Sequence, residues 1–197
     1  FGPVTAVNRV NVHVEPGLAH GLVGPNGSGK TTTLNLLSGF LRSSEGSVTV
    51  GDNVLKRGKA YLAARAGLSR TFQTPKLVPG STVHVNLLMA ADQVVPPRGF
   101  SSVFRLPAGR RREAAVNALA DRAAAQLGLL PVLHLPTAIL SHGTQRLVEL
   151  ARAMLLGGAV ILLDEPAAGL SPAEVEVVKR SVKEMKAAGS GVLIVEH

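Results

Sequence analysis

Gly24-Pro25-Asn26-Gly27-Ser28-Gly29-Lys30-Thr31 meets the pattern G-x-x-x-x-G-K-[ST] at every fixed position. Before it runs the short, mostly apolar Ala19-His20-Gly21-Leu22-Val23, and after it Thr31-Thr32-Thr33-Leu34-Asn35-Leu36-Leu37. The loop is therefore predicted to join a buried strand to a helix, which is the context the motif needs. The glycines let the backbone curl until several N–H groups face one anion, and the helix's positive end adds roughly half a charge. A phosphate is expected along Gly24 to Thr32, with Lys30 neutralising the terminal oxygens and the Thr31 hydroxyl holding Mg²⁺.

A second pattern completes the first. Val160-Ile161-Leu162-Leu163 is apolar on consecutive positions, as a strand buried on both faces should be, and it ends in Asp164-Glu165. Ligands of parallel sheets gather at that carboxyl edge. Asp164 is expected to hold Mg²⁺ opposite Thr31, and Glu165 to orient or deprotonate an attacking water.

The remaining chain fills in the class. Residues 1–16 alternate loosely (Val4, Ala6, Val10, Val12, Val14) and read as antiparallel strand material, which leads us to expect a domain continuing beyond both ends of the sequence. Gly46 to Leu55 reads as a hairpin, Tyr61 to Ala66 as a short helix stopped by Gly67, and Leu68 to Gln73 as a strand. Helical patterns follow over Thr82 to Ala91, Glu113 to Leu127 and Gln145 to Leu156, with an irregular Pro/Gly/Arg stretch at 96–109. Three arginines before Glu113 oppose a helix N-terminus, so that helix is expected to begin after them. Ser171-Pro172-Ala173-Glu174 is a capping box, and the helix it opens carries a Glu176/Arg180 pair. Gly191 to Val195 is another buried strand. Alternating strands and helices imply an α/β fold with a mostly parallel sheet.

Composition narrows function further. With 197 residues, 46% of them hydrophobic, the chain can bury a sizeable core, and no apolar run approaches the roughly 20 residues of a membrane span. Nor does Phe1 open a secretory leader. Cys is absent, which removes disulfides and thiolate metal sites and fits a cytosolic location. The net charge of +8 is concentrated: Arg98, Arg105, Arg110, Arg111 and Arg112 fall within fifteen residues that hold no acid. Anionic lipid or nucleic acid are possible partners of that stretch, and a solvated connector is the other reading. His13, His20, His84 and His134 show no metal-ligand spacing.

Leu140-Ser141-His142-Gly143-Thr144-Gln145-Arg146 is close to L-S-G-G-Q-Q-R and precedes the Asp164-Glu165 strand. On these residues the chain resembles the ATP-binding cassette of an ABC transporter over nearly its whole length. The resemblance implies a RecA-like P-loop NTPase. Residues 1–73 and 158–197 would form the ATP-binding core, with an N-terminal antiparallel β part, and residues 74–157 an inserted helical subdomain. It also implies a sandwich of two cassettes, identical or related, in which Ser141, Gly143 and Gln145 cap ATP bound by the opposite subunit. Gln73 corresponds to the glutamine whose loop senses the γ-phosphate, approaches the Mg²⁺ and contacts membrane permease subunits. His197 corresponds to the histidine that clasps the γ-phosphate, and Phe1 stands near the aromatic that stacks on adenine. Lys30, Glu165 and His197 are the implied catalytic set, with ATP and Mg²⁺ as cofactors. His142 replaces a glycine of the pattern and Ser171 an aspartate, which bear on the γ-phosphate cap and on coupling across the dimer.

Finer likeness comes from Arg70-Thr71-Phe72-Gln73-Thr74-Pro75, from Asp164-Glu165-Pro166-Ala167-Ala168-Gly169-Leu170 and from Val195-Glu196-His197. These are similar to the ATPases of branched-chain amino-acid importers, with urea importers and lipopolysaccharide export ATPases as neighbours. The implied activity is Mg-dependent ATP hydrolysis driving solute import, at the inner face of the cell membrane. A nucleic-acid ATPase is disfavoured, because only one cassette is present and the Gln73 to Ser141 interval is too short for a long coiled coil.

Overall fold

The computed structural model describes residues 5–96 and 107–196. The chain divides into two compact units, one drawn from Phe1–Gln73, Gly157–Ala168 and Val182–His197, the other from Thr74–Leu156 and Gly169–Ser181.

The first unit is built on a four-stranded sheet. Its strands are β1 (Ala19–Val23), β4 (Leu68–Arg70), β5 (Val160–Asp164) and β6 (Gly191–Glu196), in the order β1-β6-β5-β4, every pair parallel. Ile161, Leu162, Leu163, Val192, Leu193 and Val195 are almost wholly buried, as their uninterrupted apolar runs require. Helix α1 (Lys30–Leu37) follows β1, and α2 (Ala60–Arg65) precedes β4. Between them a separate antiparallel pair, β2 (Thr49–Val50) and β3 (Asn53–Val54), turns on Gly51-Asp52. Leu34, Val50, Ala63, Leu68, Leu162, Leu193 and Val195 share one core, each leucine and valine contributing roughly 1.5–3 kcal/mol by leaving water. The α/β architecture with a mostly parallel sheet and a small antiparallel part is what the alternation of patterns implies.

Residues 5–18 form no strand, contrary to expectation. Val12 and Val14 do turn inward onto the core, so the period-two alternation is real, but no neighbouring strand among the described residues supplies a ladder. Strand β4 also stops at Arg70 rather than Gln73, although Thr71 N still donates to Leu162 O at 2.9 Å.

The second unit packs α3 (Val83–Val94), α4 (Pro107–Gln126) and α5 (His142–Leu156) against one another. Thr82 caps α3, its hydroxyl accepting from Val85 N at 3.3 Å. Val116, Ala120, Ala123 and Ala124 form the buried stripe of α4, continued by Leu127 just beyond its end. That helix begins at Pro107, six residues before the Glu113 start expected from its arginines. Proline suits a first helical position, Arg110 and Arg111 face solvent, and Arg112 pairs with Asp92 at 2.6 Å. Solvation and pairing outweigh a dipole penalty of about 0.3–1 kcal/mol per charge. Arg98 and Arg105 lie outside the described residues. Helix α6 (Pro172–Ala187) starts in this unit on the expected box, with Ser171 N and Oγ both donating to Glu174 Oε2 at 2.8 Å. On its outer face Glu176 takes Lys179 Nζ at 2.7 Å.

Candidate functional site

The sheet register brings the site's parts to one edge. Val23, the last residue of β1, stands opposite Glu196, and Val195 opposite Asp164. Three loops therefore leave the same carboxyl end: the glycine-rich stretch after β1, Glu165 after β5, and the segment to Gln73 after β4. Parallel sheets bind ligands along this edge. Phe1 and His197 lie outside the described residues.

The glycine-rich loop needs its glycines. Gly29, the N-cap of α1, has φ +89°, and a Cβ built there would stand 2.5 Å from Ala6 O. Pro25, Asn26, Gly27, Ser28 and Thr31 are exposed, and Gly24 and Thr32 half-buried, so the stretch can be reached by a ligand. Lys30 is buried, with Nζ donating to Gly24 O and, at 3.1 Å, to Pro25 O. The ammonium thus spans the curl of the loop from inside, where a phosphate would be its counter-ion.

Asp164 and Glu165 are 1% and 7% exposed, far below what carboxylates show unless they are held. Asp164 Oδ2 accepts from Arg70 Nη2 at 3.1 Å, and its backbone N–H donates to Thr71 Oγ1 at 3.1 Å. Glu165 adopts φ +49°, rare for a residue with a Cβ. Its N–H donates to Val195 O at 3.0 Å and its carbonyl accepts from Ala168 at 3.2 Å, which fixes the turn. Gln73 Nε2 then donates to Glu165 Oε2 at 3.3 Å, joining the expected sensor to the expected base.

Among the described residues no cluster of three His, Cys, Asp or Glu could hold a metal alone. Thr31, Asp164 and Gln73 offer a hydroxyl, a carboxylate and an amide oxygen. Hard donors few in number are what Mg²⁺ uses when a nucleotide's phosphates supply the rest. The residues present fit that ion.

The second unit carries the signature-like segment. Ser141 caps α5, Oγ accepting from Thr144 N at 3.1 Å and lying 2.8 Å from Thr144 Oγ1. Gln145 turns inward: Nε2 donates to the carbonyls of Thr137 and Leu140, both at 3.1 Å, so its amide braces the loop ahead of the helix. Gly143 is buried against Glu174, whose carboxylate would lie 2.9 Å from an added Cβ. His142 is exposed, opens the helix, and takes Arg146 Nε on Nδ1 at 3.3 Å, so a side chain fits where the pattern has glycine.

Sequence reasoning passed over Arg70, Thr71, Glu149 and Arg152. Glu149, 5% exposed within the apolar stripe of α5, accepts from Lys76 N at 3.0 Å, and Arg152 Nη1 donates to Lys76 O at 2.6 Å. Together they grip both polar groups of one residue just beyond Gln73. Burial pulls the Arg152 guanidinium below its ordinary value, and Glu149 pulls it back. A charged residue inside an apolar run, as at Val148-Glu149-Leu150, or on a strand whose neighbours are uncharged, as at Arg70, is the signal that marks such sites.

Residues 7–168 match the family model described as ABC transporter. Over 201 residues the chain is 37% identical to the high-affinity branched-chain amino acid transport ATP-binding protein LivG of Escherichia coli K12, spanning all of this chain and 78% of that protein. It is 33% identical over 198 residues to the corresponding protein BraF of Pseudomonas aeruginosa, again all of this chain and 78% of the relative. Among solved structures, a nucleotide-free ATP-binding cassette from an ABC transporter superposes with a TM-score of 0.78 at 32% identity, covering all of this chain and 77% of that one. The ADP conformation of an ATP-binding cassette gives 0.76 at 32% identity with the same coverage.

Proposed function

The chain belongs to the ABC transporter ATP-binding family, and from that premise we propose that it is the ATP-hydrolysing subunit of an importer for branched-chain amino acids. The observation that carries the site reading is the shared edge: the loop after β1 and Asp164-Glu165 after β5 leave one end of one parallel sheet. ATP lies along Gly24 to Thr32 with Phe1 at the base. Lys30 meets the β- and γ-phosphates, and Thr31, Asp164 and Gln73 hold Mg²⁺, which neutralises charge on the phosphates. Glu165 orients the attacking water and accepts its proton, with Gln73 steadying the carboxylate and His197 on the γ-phosphate. Phosphoryl transfer depends on such placement more than on covalent help.

Hydrolysis requires two cassettes. A second copy or a related subunit supplies Ser141 and Gly143 to the γ-phosphate, where a helix N-terminus favours an anion. Residues 1–73 and 158–197 act as the ATP-binding core, and residues 74–157 with the Gln73 loop meet permease subunits at the inner face of the membrane. No helix among the described residues is long and apolar enough to cross it. The names of the relatives support the solute. The test reconstitutes the full-length protein with branched-chain amino-acid permease subunits in proteoliposomes and follows leucine uptake against ATP. Uptake by the wild type, lost in K30A and E165Q, is expected; ATP hydrolysis without uptake of any branched-chain amino acid overturns the solute assignment.

A further inference from the structure

We infer that Arg70 is a positioning residue for Asp164 and for the loop bearing Gln73, one guanidinium fixing three separate segments of the ATP cleft. The inference rests on the reading of that cleft as a magnesium-nucleotide site. Arg70 ends β4, and its side chain is 5% exposed, so its charge has to be met by protein groups. Nη2 donates to Asp164 Oδ2 at 3.1 Å, Nη1 to Asn35 Oδ1 at 2.6 Å and Ser38 Oγ at 2.9 Å, and Nε to Thr71 O at 3.2 Å. The Cζ of the group also stands 4.8 Å from the Phe72 ring centroid and 5.9 Å from that of Phe40, and the two rings meet edge to face at 5.2 Å.

Each partner belongs to a different working part. Asn35 lies on α1, the helix that Lys30 and Thr31 open, and Ser38 is its C-cap. Asp164 ends β5 beside Glu165, and Phe72 immediately precedes Gln73. Ser38 Oγ donates to Leu34 O at 2.6 Å, which leaves its lone pairs for the guanidinium. A planar fork of five donors can serve acceptors in one plane while presenting its face to a ring; an ammonium cannot. Arg70 and Thr71 thereby hold Asp164 from its carboxylate and from its backbone. Groups that orient a metal-binding carboxylate set its affinity for the ion, because a ligand free to rotate must be ordered on binding.

The full-length protein, R70K and N35A provide the test. Binding of a fluorescent ATP analogue is measured in EDTA, binding of Mn²⁺ in the presence of ADP by electron paramagnetic resonance, and kcat and KM from phosphate release. For R70K, analogue affinity within about twofold of wild type is expected, with Mn²⁺ affinity and kcat each lowered on the order of tenfold. N35A keeps the charge and should move both quantities the same way by less. Wild-type Mn²⁺ affinity and kcat in both variants, even with a lowered melting temperature, overturn the inference and leave Arg70 a structural residue. If R70K does not fold, N35A decides on the same criterion. Failure of the wild type itself to bind the analogue or Mn²⁺ would instead overturn the reading of the cleft.

Discussion

Gln73 donates its side-chain amide to Glu165 Oε2 at 3.3 Å, so the carboxylate proposed to orient the attacking water is tied to a side chain on an exposed loop. Any movement of that loop is felt by the carboxylate. Replacing Gln73 by Glu removes the donor and sets two acids face to face. Losing a hydrogen bond to a charged group and gaining repulsion amounts to about 1–2 kcal/mol, or roughly five- to thirtyfold in rate. We expect Q73E to lower kcat by at least that factor, while the affinity for ADP in EDTA, which involves neither Mg²⁺ nor a γ-phosphate, stays near wild type. Parallel phosphate-release and fluorescent-nucleotide titrations check it.

Glu165 carries a second liability in its backbone. A non-glycine residue at φ +49° stores on the order of 1 kcal/mol, which glycine would not. E165G should therefore melt about 2–4 °C higher than wild type while losing turnover. E165Q keeps the strain and should melt as the wild type does, bind ATP, and accumulate as a dimer. Calorimetry with light scattering at saturating ATP separates the two variants, and a lower melting temperature for E165G would show that the turn needs the side chain.

How legible was all this in the chain? The inner strands were legible, because Val160–Asp164 and Gly191–Glu196 are apolar runs; β1, expected to be buried, instead ends the strand order with Ala19, Gly21 and Val23 exposed. The loop of Gly24 to Thr31 was legible because only glycine tolerates φ +80° and +89° at Gly27 and Gly29. Local signals failed where a distant partner decides. Residues 5–18 alternate like a strand but meet no ladder, and α4 starts early because Asp92, twenty residues back, takes Arg112. Arg70 could be marked as anomalous but not placed, since Asn35 and Asp164 come to it only through the sheet order. Nor could the chain show that Gln145 Nε2 braces the carbonyls of Thr137 and Leu140.

Glu149 joins the residue at 76 to the helix that Ser141 caps. Truncating it to alanine leaves the backbone amide of Lys76 short of an acceptor and the half-buried Arg152 without its nearby acid. We expect E149A to lose about 2–3 kcal/mol of stability in urea unfolding. E149Q retains an acceptor oxygen for Lys76 N and should lose less than half of that. Equal losses in the two variants would mean that the charge on Arg152, rather than the hydrogen bond to Lys76, is what Glu149 serves.

Ser171 stands where the family pattern has aspartate, and the structure gives a reason why the exchange is not neutral here. Both Ser171 N and Ser171 Oγ donate to Glu174 Oε2 at 2.8 Å, and Ser171 Oγ accepts from Glu174 N at 3.4 Å. An aspartate at 171 can still cap α6, yet it has no proton to give Glu174 and faces it as a like charge. The helix start is exposed, so the cost is modest, about 0.5–1 kcal/mol. S171D should therefore be less stable than wild type, and adding E174Q should recover the loss because an amide can donate to the new carboxylate. S171A, which removes the cap altogether, should cost about 1 kcal/mol with or without E174Q. The double-mutant cycle in urea measures this directly: a coupling near zero between positions 171 and 174 in the aspartate background would mean that solvent screens the pair completely and that the serine carries no local advantage.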